Sequence, residues 1–199
     1  NLNANNPNAW TYAPDTTQKA HNDATWKDAQ VRLTYQANQK NKFAFTYDQQ
    51  ERCSCPWYIS STRAQEAAVD YRFPQERLLH GEWSSPITSK LLLEVVALQR
   101  TERWGNMDLR SLDTLSGDPN GGMISVLEQG GNIPNLVYRN WTTYNNTWLS
   151  NYFWRGAVSY VTGSHSFKAG LNDSPGIQKT RTYSFNDLQY RFNNGVPNL

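Results

Sequence analysis

The chain has two cysteines, Cys53 and Cys55, separated by one serine. In an oxidising compartment this pair could form a local disulfide, although a one-residue gap demands an unusual ring geometry. Free thiols are the alternative. A metal site needs three or four ligands, and the histidines are scattered along the chain, so the sequence predicts neither a metal site nor another cofactor. We expect both cysteines on an exposed loop away from any sheet.

Two carboxylates, Glu82 and Glu94, flank a short turn and could face each other on neighbouring strands. Such a pair could act as acid and base in glycoside hydrolysis. Both occupy the polar positions of their strands, beside His80 and Arg100, which favours structural ion pairs instead. The sequence has no nucleophile elbow, phosphate loop or metalloprotease helix, so we predict that the protein is not an enzyme.

Aromatic residues are abundant, with eight Trp and eleven Tyr among 199 residues. One group lies in long polar connections, where the rings could stack on an unknown small ligand: Trp57, Tyr58, Trp141 and Tyr144. A second group falls near the ends of predicted strands, as a membrane-interface girdle would: Trp26, Tyr47, Trp83, Trp104, Trp148 and Tyr152.

The elements that position these residues are predicted from a period-two pattern. Residues 29–37 and 42–48 alternate between apolar and polar side chains on either side of a four-residue turn. A period of two places the two sets on opposite faces of a β-sheet. The polar face is predicted to carry six charged residues: Arg32, Lys42, Glu82, Glu94, Arg155 and Lys168.

The same pattern predicts an all-β, antiparallel, up-and-down meander of six to eight strands. The expected strands cover about 25–38, 41–50, 76–85, 91–103, 147–161, 166–173 and 181–192. Short turns at 38–41, 86–90 and 162–165 alternate with long connections at 51–76, 104–147 and 173–186. Short turns at one rim and long loops at the other are typical of a transmembrane β-barrel.

Composition narrows the class of protein. The hydrophobic fraction is 38%, which is low, but aromatic residues make up 13%, which argues against disorder. The net charge of +2, without a Lys/Arg cluster, argues against a nucleic-acid partner. Both ends of the chain look cut, so we interpret residues 1–199 as one partial barrel domain from a longer protein.

Four ordered segments resemble a known family: residues 32–36 with 39–43, 83–88, 162–170 and 190–197. Together they resemble the barrel of TonB-dependent outer-membrane receptors, in particular the Oar-like branch with a carboxypeptidase-like regulatory domain. The resemblance covers roughly residues 23–197. It implies a barrel in the bacterial outer membrane, in contact with its lipid, that takes up a scarce ligand. It also implies that the TonB complex acts through a plug domain that lies outside this chain, as do the regulatory domain and the C-terminal strands.

A secreted β-sandwich that binds carbohydrate is the alternative. A sandwich buries the apolar face between two sheets, whereas a barrel wall leaves it bare on the convex side. The barrel reading therefore expects eleven side chains to be exposed: Val31, Leu33, Tyr35, Phe43, Phe45, Leu93, Val95, Trp154, Val158, Phe167 and Leu171.

Overall fold

The computed structural model describes residues 1–4, 6–106, 123–184 and 188–198. Its main feature is an antiparallel sheet built from long strands. These are β1 (Ala24–Gln36), β2 (Lys42–Trp57), β3 (Val69–Pro86), β4 (Leu91–Gly105), β7 (Thr143–Thr162), β8 (His165–Asp173) and β9 (Gly176–Ser184). The order β1-β2-β3-β4-β7-β8 follows the chain, which confirms the all-β meander. No helix in the described residues has the length and hydrophobicity that crossing a membrane requires.

Strands β8 and β9 pair with successive parts of the same neighbour. Thr162 pairs with His165 at one end of β7, and Thr143 pairs with Ser184 at the other, in one unbroken register. The two strands are separated only by Ser174 and Pro175, where proline cannot donate a backbone hydrogen bond. The predicted loop at 173–186 is therefore wrong, because a polar edge strand continues there without the apolar alternation that would reveal it.

The second and third strands are also longer than predicted. Strand β2 runs to Trp57 and β3 begins at Val69, so the predicted loop over 51–76 shrinks to residues 58–68. The added segments mix charged and aromatic residues, and cross-strand contacts hold them. The Lys27 ammonium lies 3.7 Å from the Glu51 carboxylate, and the Arg52 guanidinium lies 4.0 Å from the Phe73 ring centroid. A short 3₁₀ turn, Gln65–Ala67, replaces the weak helical tendency of this connection.

The cross-strand register places the apolar side chains on one face of the sheet. One row across the sheet contains Tyr35, Phe43, Trp83, Val95, Gly156 and Leu171. Ten of the eleven side chains expected to be bare are exposed, from 36% at Val158 to 75% at Leu171. Leu93 is half-buried. No second sheet covers this apolar face in the described part of the chain.

The three tight turns are staggered. The row through Gln36 and Lys42, which close the first hairpin, reaches β3 at Ser84 and β7 at Ala157. The second hairpin extends two residues beyond this row, to Pro86, and the third extends five residues beyond it, to Thr162. Each turn therefore projects further than the one before it, in the same direction along the strands.

A second, smaller sheet lies at the end of the long strands opposite the tight turns. It has the order β11-β10-β5-β6, where β5 is Ser125–Glu128, β6 is Leu136–Tyr138, β10 is Gln189–Asn193 and β11 is Val196–Pro197. The predicted single strand over 181–192 is wrong, because its first residues end β9 in the main sheet and its last residues form β10, which pairs in parallel with β5. A buried core joins this sheet to the loops: Ala64, Val126, Leu136, Tyr138 and Phe192, with Trp10, Tyr12 and Ile133 packed against it.

Candidate functional site

Three of the four predicted loop aromatics form one cluster at the long-loop end of the sheet. The Trp57 and Tyr58 ring centroids are 5.5 Å apart, edge to face. Tyr58 and Trp141 lie 5.6 Å apart with ring planes within 9° of parallel. Trp57 and Tyr58 are 40% and 51% exposed, so both rings are accessible. We call Trp57, Tyr58, Trp141 and the adjacent Arg63 the aromatic–arginine cluster.

Local backbone geometry brings these residues together. Trp57 ends β2 opposite Val69, and Tyr58 turns the chain with a φ of 70°, a conformation that bulky residues seldom adopt. The following loop is fastened to β6, because the Ala64 N–H donates to the Val137 carbonyl and the Val137 N–H donates to that of Thr62. The loop therefore presents Arg63 to Trp141 from a fixed backbone.

Arg63 supplies the charge of the cluster. Its guanidinium carbon lies 3.7 Å from the Trp141 ring centroid and 5.9 Å from that of Tyr58, both within cation–π range. Burial lowers the pKa of the Arg63 guanidinium. Among the residues that the structure describes, no carboxylate forms an ion pair with Arg63. The cation is held by aromatic rings and is partly desolvated.

The cluster opens onto a cavity between the 58–68 loop and the start of β7. Its wall consists of Tyr58, Ile59, Ser60, Arg63, Tyr71, Asn106, Trp141, Thr143 and Asn145. The Asn106 side chain fixes one side of this wall, because it accepts from the Asn145 N–H and donates to the Thr143 carbonyl at 3.2 Å. The Trp141 indole N–H is buried and has no hydrogen-bond partner among the described residues. The cavity thus combines aromatic surface, one cation, and hydroxyl and amide groups.

The fourth predicted aromatic does not belong to this cluster. Tyr144 lies within β7 rather than in a loop, is 6% exposed, and donates a 3.4 Å hydrogen bond to the Asn140 side-chain oxygen. A buried ring cannot offer a stacking surface, so we leave Tyr144 out of the candidate site. Arg63, Tyr71, Asn106 and Asn145 were missed from the sequence, because no motif or period marks them.

The six charged residues predicted for the polar face do share one face. Rows across the sheet align Lys42 with Glu94 and Glu82 with Arg155. Arg32 lies 3.7 Å from Glu82, and the Lys168 ammonium donates a 2.6 Å hydrogen bond to Glu94. A shallow cavity on this face is bordered by four of the six: Arg32, Lys42, Glu82 and Glu94.

The two carboxylates considered for catalysis are already engaged in ion pairs. Glu82 lies 3.5 Å from the His80 imidazole as well as near Arg32, and Glu94 pairs with Lys168. These contacts favour the structural interpretation of the pair. In the described residues, no group of three His, Cys, Asp or Glu side chains could hold a metal ion.

Cys53 and Cys55 form a disulfide, but not where we expected it. Both lie within β2, half-buried, with Cys53 paired across the sheet to Thr25 and Arg72. Residues two apart on a strand point to the same face, which allows the pair to meet. The loop placement was wrong because β2 extends beyond its apolar segment. The sequence Asp118-Pro119-Asn120-Gly121 predicts an ordinary turn rather than a calcium-binding loop, and it lies outside the described residues.

No protein-family model matches the chain, and no curated protein matches it.

Proposed function

We propose that this chain forms part of the wall of an outer-membrane β-barrel in a bacterial receptor that takes up a scarce ligand. One observation carries the proposal: the apolar face is continuous and exposed, while charged side chains occupy the opposite face. Soluble monomers rarely expose apolar patches larger than a few hundred Å². Outer-membrane lipid would cover this face, and the ion-paired face would line the lumen.

The stagger of the tight turns supports the same conclusion. Strands of a closed barrel tilt by about 35–45°, so turns at one membrane surface must step along the register. Five residues of offset accumulate across four strands between the first and third hairpins. With a rise of about 3.3 Å per residue and about 4.8 Å between strands, this offset corresponds to a tilt of roughly 40°.

The length of the strands fits a receptor whose loop end projects from the membrane. A membrane-spanning strand needs about 9–11 residues, whereas β7 has 20 and β3 has 18. The remaining length carries the small sheet and the aromatic–arginine cluster at the long-loop rim, which faces outward in such barrels. A ligand would first meet this rim, and the TonB complex would drive uptake through a plug domain within the complete barrel.

The sandwich alternative requires a partner sheet on the apolar face. Val31, Leu33 and Phe45 are 55%, 63% and 43% exposed, and no described residue covers them. The exposed face therefore favours a barrel wall over a secreted binding module.

A matched pair of substitutions on one strand tests the proposal. Val95 and Val96 are neighbours on β4 with opposite orientations, Val95 on the apolar face and Val96 opposite Glu82. In lipid vesicles we expect Val95→Arg to lower the free energy of unfolding by about 2–4 kcal/mol, because the charge would enter hydrocarbon. Val96→Arg places its charge beside Glu82 and should lower the free energy of unfolding much less. Denaturant titration followed by tryptophan fluorescence measures both, and equal tolerance of the two variants would contradict the proposal.

The proposed uptake through TonB also requires the proton-motive force. Accumulation of a ligand in cells should stop when the proton-motive force is dissipated, whereas binding at the cell surface should persist. Accumulation that survives this treatment would remove TonB from the proposal and leave the barrel wall intact.

A further inference from the structure

The aromatic–arginine cluster holds a cation that pairs with no carboxylate in the described part of the chain. Among the described residues, Arg63 is the only cationic side chain on the wall of the adjoining cavity, and its guanidinium lies 3.7 Å from the Trp141 ring centroid. Removing an arginine from water is costly unless an anion or strong acceptors replace the lost hydration. An anionic group in the cavity would supply that compensation.

The charge of the cavity selects the kind of anion. One guanidinium matches a single carboxylate, which accepts two parallel N–H bonds from its fork. A phosphate would carry up to two negative charges, and none of the other eight described wall residues is a lysine, arginine or histidine. The aromatic contact fixes the plane of the guanidinium, which suits bidentate binding of a carboxylate.

The other wall residues indicate which kind of molecule bears the carboxylate. Ser60, Tyr71 and Thr143 contribute hydroxyls, and Asn145 contributes an amide. Tyr58 lies on the same wall, and the Trp57 ring centroid is 5.5 Å from it. Both rings are exposed and can pack on the C–H face of a pyranose ring. Flat aromatic surface next to hydroxyl and amide partners fits a saccharide better than an apolar acid.

We infer that the cavity binds a uronate-type saccharide, with its carboxylate on Arg63 and its sugar ring against Tyr58. This inference names the ligand class of the proposed receptor and rests on that proposal only for the biological role of binding. The contact itself requires no membrane energy and can be measured on the purified protein.

Isothermal titration of the detergent-solubilised protein tests the ligand class. The probes are a galacturonate trisaccharide, its methyl ester, and a tripeptide with a free terminal carboxylate. We expect the acid to bind at least about tenfold more tightly than the ester, because esterification removes the charge that Arg63 pairs with. Binding of the ester as tightly as the acid, or absence of binding by the acid, would overturn the inference. Preferential binding of the tripeptide would overturn the assignment to a saccharide.

Arginine substitutions test the residue. Arg63→Gln should reduce acid binding to the level of the ester, and Arg63→Lys should restore only part of the loss, because lysine cannot bind bidentately. Arg191→Gln is the matched control, since Arg191 is an exposed arginine of the neighbouring small sheet. An equal loss in Arg191→Gln would indicate non-specific charge attraction and contradict the site. The comparison of acid and ester on the unmodified protein stands even if Arg63→Gln unfolds.

Discussion

Tyr138 shows how one side chain can anchor the N-terminal segment to the small sheet. It is 1% exposed, and its hydroxyl donates a 2.7 Å hydrogen bond to the Trp10 carbonyl. The neighbouring Arg139 guanidinium lies 4.0 Å from the Trp10 ring centroid. These contacts attach the segment before β1 to the small sheet.

Titration of Tyr138 should make the stability of the folded protein sensitive to alkaline pH. Burial, with a smaller contribution from Glu128, raises the pKa of Tyr138 from 10.0 to about 12. Between these two values the unfolded chain releases a proton that the folded protein keeps, so the free energy of unfolding falls as the pH rises. Tyr138→Phe removes the hydrogen bond to Trp10, so its free energy of unfolding should be about 1 kcal/mol lower at neutral pH. That free energy should also fall less between neutral and alkaline pH than it does in the unmodified protein. Denaturant titrations from pH 8 to pH 11.5 measure both, and parallel pH profiles for the two proteins would refute the role of Tyr138.

Strands of the small sheet depend on one carboxylate that links them. Glu128, at the end of β5, accepts hydrogen bonds from the Gly130, Asn194 and Gly195 N–H groups at 2.8–3.0 Å. Asn194 and Gly195 both have positive φ and form the two-residue turn between β10 and β11, a combination typical of Asn-Gly hairpins. The carboxylate thereby holds this hairpin against β5, more than 60 residues earlier in the chain.

Glu128→Gln should therefore loosen the small sheet without opening the main one. The new amide directs a hydrogen-bond donor at backbone N–H groups that need an acceptor. We therefore expect the free energy of unfolding to fall by about 2 kcal/mol. Glu51→Gln is the control, because its exposed pair with Lys27 should contribute less than about 1 kcal/mol. Hydrogen exchange should quicken at Gly195 and stay unchanged at Val95. Unchanged exchange at Gly195 would show that the carboxylate does not hold the hairpin.

Sequence reasoning succeeded for strand segments whose two faces differ in polarity. Val31, Leu33 and Tyr35 alternate with polar residues, and β1 forms there and pairs with β2 across the predicted turn. It failed where strands are polar on both faces, as from Gly176 to Ser184, because no periodicity separates such a strand from a loop. The three- to five-residue strands β5, β6 and β10 are too short for periodicity, although Asn194-Gly195 was a usable hairpin signal.

The candidate site was predictable only by residue type. Trp57, Tyr58 and Trp141 were predicted as ligand contacts because aromatic rings in polar loops are unusual. Arg63 was not, since its role depends on a ring 78 positions away in the chain that only the folded structure brings within 3.7 Å. Contacts over such sequence distances carry no local pattern.

At the level of the whole molecule, the apolar face of the main sheet contacts lipid if the chain forms a barrel wall and water if it does not. A barrel wall requires lipid against the alternate residues of β1 and water against the residues between them. All thirteen side chains of β1 are exposed in the isolated chain, so burial within the protein cannot produce such an alternation. The environment of successive positions along β1 therefore distinguishes a membrane wall from a water-exposed sheet.

Nitroxide labels at positions 31 to 35, placed one at a time in a Cys53→Ser, Cys55→Ser background, measure that environment in reconstituted bilayers. We predict that labels at positions 31, 33 and 35 collide mainly with dissolved oxygen, which concentrates in hydrocarbon. Labels at positions 32 and 34 should collide mainly with a water-soluble nickel complex. Uniform access of the nickel complex to all five positions would contradict a membrane wall, and low access of both reagents to positions 31, 33 and 35 would indicate a covering protein layer instead.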